Sequence, residues 1–201
     1  MNKKNKYYLA TMKANFIHIS DLATVLDPTT LLQLTGGDTG QLTEVLNNVQ
    51  PAQLEVVAGY IRHYYNTDEE MRGVKIFSTF DHYKAGDRIL DNNTHYLCVK
   101  DTEQKSEICD LSHFQPEDDR NAVLVELVAN LCVYAIFRRI TPRVVPEQQQ
   151  VNYDNAIATL KDIQRGRVQL TLKPKEETVA PDYAGNNVAW GGFESFPNTD
   201  Y

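Results

Sequence analysis

No apolar run in this chain reaches the roughly 18–20 residues that a bilayer-spanning helix needs. The most apolar stretch, Leu127 to Phe137, is short and interrupted by Asn130, so no transmembrane helix and no membrane partner is expected. Cysteine is scarce: Cys98, Cys109 and Cys132 are an odd number with no C-x-x-C pair, which fits a reducing compartment and supplies no zinc framework. The histidines (His18, His63, His82, His95, His113) are scattered without H-x-x-x-H or H-E-x-x-H spacing, so no metal site is expected. Basic residues are also in deficit, 20 Lys and Arg against 27 Asp and Glu, for a net charge of -7. This argues against a protein that wraps nucleic acid by neutralising many phosphates, although an acidic chain can surround DNA without gripping it. Lys3, Lys4, Lys6 and Lys13 make a basic start, but neither an apolar core region nor a small-residue cleavage site follows, so a secretory signal is not expected.

Catalytic signatures are missing as well. There is no G-x-x-x-x-G-K-[ST], G-x-G-x-x-G or G-x-S-x-G. Gly36-Gly37-Asp38-Thr39-Gly40 has no lysine and no preceding strand, and reads as a helix stop. Asp81-His82 and Asp118-Asp119 offer acids and an imidazole without a third orienting group. The expectation is a protein that is not an enzyme and carries no cofactor.

What is present is a soluble globular composition, 42% hydrophobic and 23% charged, with strong helical periodicity. Two short helices are expected between His18 and Gly37, with Asp27-Pro28 restarting the second. Gln50-Pro51 opens a longer one with Leu54, Val57, Ala58, Ile61 and Tyr65 on one face. Asp119 caps a helix through Ile140 that is apolar on nearly every side, save a stripe of Glu126, Asn130, Tyr134 and Arg138. Pro146 starts another, Glu147 to Arg165, stopped by Gly166, and Val168, Leu170 and Leu172 then alternate as a short strand in need of a partner.

Between Gly73 and Phe114 the pattern changes to β-branched and aromatic clusters, with turn signals at Ala85-Gly86-Asp87 and a hairpin turn at Asp91-Asn92-Asn93-Thr94. Tyr83 to Ile89 followed by Thr94 to Cys98 resembles the repeated Y-x-x-G-D-x-V…Y-x-C pattern of small carbohydrate-binding β modules. That resemblance makes Tyr83 and Tyr96 candidate glycan contacts of a sugar- or host-surface-binding module. The competing reading, which the lack of a Trp there favours, is aromatics packing a small sheet. From Lys173 onward the chain is rich in Pro, Gly, Asn and acids, yet holds Tyr183, Trp190, Phe193, Phe196 and Tyr201. It reads as an extended arm that docks on a neighbour through these aromatics, with Val168 and Leu170 of the strand as further contacts. The basic first segment and this acidic last one form two ends of opposite sign, suited to intermolecular contact.

The expected fold is therefore mainly α: a small helical bundle with an inserted small β lobe, a short C-terminal strand and an extended C-terminal arm. The expected divisions are a basic arm at 1–15, a helical domain at 16–72 and 116–172, a β insertion at 73–115, and the arm at 173–201. Ile19-Ser20-Asp21-Leu22, the helix ending in Tyr64-Tyr65, the apolar helix ending Phe137-Arg138-Arg139, and Asn152-Tyr153 through Gly166-Arg167-Val168-Gln169-Leu170 together resemble the head-tail connector proteins of tailed bacteriophages, in particular the Mu-type connector domain. The resemblance spans residues 16–72 and 116–172. It implies a structural virion subunit that forms a twelvefold ring at the head-tail junction, assembled in the host cytoplasm. Portal and other neck or tail proteins would be its partners, and DNA would pass through without sequence recognition during packaging and ejection.

Overall fold

The computed structural model describes residues 15–103, 106–140 and 145–175. Two short helices, α1 (Ile19–Leu22) and α2 (Pro28–Gln33), precede the long α3 (Thr39–Ile61) and a single turn, α4 (Thr67–Glu70). Four short strands follow, β1 (Val74–Ile76), β2 (Arg88–Asp91), β3 (Thr94–Cys98) and β4 (Phe114–Gln115), and then α5 (Ala122–Ile140) and α6 (Glu147–Gln164).

Most helix ends are written in the sequence. Asp27 caps α2 ahead of Pro28, and Gly36 and Gly37 leave that region with positive φ. Asp38 caps α3 by accepting from the N–H groups of Gly40 and Gln41, at 2.8 and 3.1 Å. Pro51 does not begin a helix, as its neighbours led one to expect; it lies inside α3. The turn before it is held by tertiary bonds: the buried Gln50 amide accepts from Ile17 N–H and donates to Ile17 O, both at 3.0 Å. These bonds offset the hydrogen bond that a proline removes from a helix. Asp119 likewise does not cap α5. Asn121 does, its Oδ1 accepting from Leu124 N–H at 3.1 Å, because Asp119 is committed to two arginines.

The expectation of a mainly α bundle is overturned. Among the described residues the chain is 48% helix and 11% strand, a mixed α/β fold with six helices and one four-stranded sheet. The sheet runs in the order β1-β2-β3-β4, with β1 parallel to β2 and the other pairs antiparallel. The β2–β3 hairpin turns at Asn92 and Asn93, whose φ values of 47° and 63° suit a tight turn of the primed type. A parallel β1–β2 pair cannot be closed by a hairpin, so the chain must cross over between Phe77 and Asp87. That crossover carries Tyr83 into a small core with Ile89, Cys98 and Phe114. Nor does the sheet merely hang from the helices: Val74 N–H donates to Asn15 O, just ahead of α1, at 2.7 Å.

The main core is helical. Leu42, Leu46, Val57 and Ile61 of α3 meet Leu124, Val128, Leu131, Cys132 and Ile136 of α5, with Leu160 and Ile163 of α6 and Phe16, Ile17 and Leu22 from the chain's start. Helix α5 is buried on nearly all sides within this one subunit, since α1, α3 and α6 all pack on it. Its apolar circumference therefore needs no neighbouring chain to cover it.

The expected strand at 168–172 is absent; the segment is irregular. Leu170 is buried against the helical core, and its N–H donates to Tyr65 Oη at 2.9 Å, a side-chain acceptor where a strand would use a ladder carbonyl. The pairing comes later, as a single antiparallel bridge between Pro174 and Tyr65.

Candidate assembly surface and its buried joint

Three consecutive residues ahead of α5 join the helices to the sheet. Asp119 accepts from Arg72 Nη2 at 2.9 Å and from Arg88 of β2, whose Nε lies 2.6 Å and Nη2 3.2 Å away. Arg88 is buried and also donates to the carbonyls of Glu70 and Arg72 at the end of α4. Arg120 reaches the other way. Its guanidinium, 1% exposed, makes a forked pair with Asp21 of α1 at 2.9 Å on both arms, and donates to Phe16 O at 2.7 Å and to both oxygens of Asp118 at 2.8 Å. The same Nη2 lies 2.8 Å from His95 Nε2 on β3.

Charge at this joint is fixed by its neighbours. Burial alone would raise the Asp21 pKa, but the hydrogen bonds on the His95 and Arg120 side and the His18 N–H hold it well below the usual carboxylate range. Burial also works against the Arg120 cation, and the two aspartates reverse that and hold it charged. Burial pushes the His18 imidazole below its ordinary pKa, only partly opposed by its contact with Val74 O at 3.3 Å. Asp21, Asp118, Asp119, Arg88 and Arg120 are all bonded to protein partners, which suits a structural joint.

The chemical candidates raised by the sequence fare similarly. Asp118 and Asp119 are bound to arginines, and His82 Nδ1 sits 3.4 Å from Thr102 O. Burial raises the pKa of Cys98 and pushes that of Cys132 up to about 12, which disfavours the thiolate at both, and Cys109 is a free, exposed thiol. Among the described residues no group of His, Cys, Asp and Glu is placed to hold a metal ion, and no helix is long and apolar enough to cross a membrane.

As a glycan contact Tyr83 has to be corrected. It is 1% exposed, its ring lies 5.8 Å from both Phe77 and Phe114, and its hydroxyl exchanges hydrogen bonds with the backbone of Ser78. A ring enclosed in this way has no face to offer a sugar. Tyr96 is partly buried against the same cluster. Of the candidate partner contacts, Leu170 is turned into its own core and Val168 is 39% exposed. Tyr183, Trp190, Phe193, Phe196 and Tyr201 lie outside the described residues.

Exposed apolar side chains missed by the sequence reading come from the sheet region. Ile76, Phe80 and Leu111 are 69%, 78% and 66% exposed. Ile76 ends a three-residue strand and Phe80 and Leu111 lie in turns, so no periodicity separated these positions from core ones. The polar stripe of α5 is also placed: Tyr134 stacks on Tyr153 of α6 with centroids 4.2 Å apart and donates to Gln150 Oε1 at 2.9 Å, and Arg138 lies over the Tyr134 ring.

The last described residues form a strap. Lys173 pairs with Glu69, and its N–H donates to Glu70 Oε1 at 3.0 Å; Asn66 N–H donates to Lys173 O, and Lys175 N–H to Tyr64 O at 2.9 Å. Lys175 borders an open groove of about 540 Å³ beside α3 and α4.

Residues 116–188 match the family model described as Bacteriophage Mu, Gp36. The matched segment takes in the joint, α5, α6 and the strap, and it indicates a bacteriophage protein of the structural or assembly kind. No curated protein and no solved structure matches the chain.

Proposed function

We propose that the chain is a structural subunit of the phage head-tail junction, assembling with copies of itself into a ring that joins portal to tail around the DNA channel. The observation that carries this reading is the match of residues 116–188 to the Mu Gp36 family model. The fold is compatible with it. A subunit closed around its own core, with α5 covered from within, can be added to a ring as a preformed unit. Partner contact then falls to the exposed apolar residues of the sheet region and to the aromatic arm beyond Lys175, since large aromatics dominate interface energy. The net charge of -7 suits a channel wall that DNA passes without strong phosphate contacts.

Cryo-electron microscopy of the virion is the direct test. Ring density at the junction that fits the α3–α5–α6 body supports the reading; assignment of the chain elsewhere in the particle, or its absence, refutes it. A chain truncated after Lys175 should fold as before but fail to enter particles, and Trp190→Ala with Phe193→Ala should do so in part. Unchanged occupancy of the truncated chain would remove the arm from the assembly.

A further inference from the structure

Arg120 has one more partner than it has hydrogens. A guanidinium carries five N–H bonds, one on Nε and two on each terminal nitrogen. Five oxygens take them all. Nε donates to Asp118 Oδ1, Nη1 to Phe16 O and Asp21 Oδ2, and Nη2 to Asp21 Oδ1 and Asp118 Oδ2, at 2.7–2.9 Å. His95 Nε2 nevertheless lies 2.8 Å from Nη2. At that separation the ring nitrogen has to be bare, its lone pair turned to the electropositive edge of the guanidinium, which puts the ring proton on Nδ1. A proton on Nε2 would set N–H against N–H and cation against cation. The carboxylate within its reach is Asp21, whose Oδ1 lies 3.7 Å away.

We propose that His95 is a proton-operated latch between the sheet and the helices. With Nε2 bare, Arg120 grips Asp21 with both arms and ties the start of α5 to α1. A proton taken from solvent onto Nε2 turns the ring into a donor to Asp21 Oδ1. One arm of the fork then opens, and α1 passes from the hold of α5 toward that of β3. The groups that face the ring are few. From α1 come Asp21 and the N-cap His18, from the segment ahead of α5 Asp118 and Arg120, and from β2 the apolar Leu90. His18 is not the latch, because its Nε2 meets a carbonyl, Val74 O, to which a neutral or a charged ring can donate. Histidine side chains change charge between about pH 5 and 8, and the test spans that interval.

The full chain is compared at pH 7.5 and 5.5 by NMR. Long-range proton–nitrogen spectra of the His95 ring should show Nε2 bare at pH 7.5 and both nitrogens protonated at pH 5.5. Amide exchange, corrected for the intrinsic effect of pH, should quicken several-fold at pH 5.5 at Thr24, Val25 and Leu26, whose N–H groups bond back into α1, and hold steady at Leu131 and Leu160. His95→Gln, which has no imidazole to protonate, should abolish that response, whereas His18→Gln should keep it. An Nε2–H tautomer at pH 7.5, a ring still neutral at pH 5.5, or exchange in α1 that ignores pH overturns the latch. A response that survives His95→Gln, or is lost in His18→Gln, overturns it too.

Discussion

Removing the Arg120 guanidinium should be among the most damaging single changes in this protein. Arg120→Met keeps an apolar stem of similar length but leaves Asp21 buried without its forked partner and Phe16 O without its 2.7 Å donor. Breaking a buried pair by removing one member destabilises by about 3–5 kcal/mol. The lower part of that range is expected here, because Asp21 keeps the His18 N–H at 2.8 Å. Asp118, 39% exposed, can rehydrate, so Asp118→Ala should lose only about 1 kcal/mol or less. The informative variant is the double one. Asp21→Leu with Arg120→Met removes both charges, and apolar replacement of a buried pair is often neutral or stabilising. It should therefore be less destabilised than Arg120→Met alone, with a coupling energy of about 2 kcal/mol, within the range found for residues in contact. Urea unfolding followed by helical circular dichroism measures all four corners of the cycle. If Arg120→Met loses less than about 1 kcal/mol, or the double variant equals the sum of the singles, the Arg120–Asp21 pair is not what holds the start of α5 to α1.

Three further outcomes follow from the same geometry. Leu131→Ala in α5, fully buried, should destabilise by about 2–5 kcal/mol in the same assay, and a loss below about 0.5 kcal/mol would place that face on the surface. The folded-state pKa of Asp21 lies below its unfolded value, so the unfolded chain takes up the proton first as pH falls. The stability Asp21 supplies is thus fully present above about pH 5 and declines as pH drops through about 4 and below; Asp21→Asn should flatten the stability profile there. Replacing residues 73–114 with a Gly/Ser linker should preserve cooperative unfolding, because the main core draws nothing from that stretch, but lower its midpoint, because Asp119 loses Arg88 and Arg120 loses His95.

How much of this was readable in the sequence follows from the range of the interactions. Asp27-Pro28, Gly36-Gly37, Pro146 and Gly166 act within one helical turn, and the structure follows them. Asn92-Asn93 set the hairpin for the same reason, a local φ requirement. The failures are all non-local. Pro51 reads as a helix start until Gln50 is seen bonded to Ile17, and Asp119 reads as a cap until Arg72 and Arg88 claim it. Alternation at Val168, Leu170 and Leu172 carries the pattern of a strand, but Leu170 satisfies its N–H on a tyrosine hydroxyl, and no ladder is needed. Tyr83 matched a surface motif because the crossover that buries it exists only if β1 and β2 are parallel, which no periodicity announces. The candidate assembly residues divide along the same line: the arm's aromatics are conspicuous by composition, whereas the exposure of Phe80 and Ile76 depends on tertiary placement.

The joint at Arg120 also imposes a schedule on synthesis. Its partners Asp21 and Phe16 lie 99 and 104 residues earlier in the chain. At a ribosomal rate of about 5–20 residues per second, the N-terminal segment waits roughly 5–20 seconds before Arg120 is made, let alone clears the exit tunnel. During that interval Phe16, Ile17 and Leu22 have no α5 to pack on, and Asp21 has no guanidinium. The nascent chain thus presents an apolar segment whose cover is completed only once Arg120 and α5 have been made. Premature contact between such segments on neighbouring ribosomes is a hazard, and the late Arg120 clasp marks the point at which it ends.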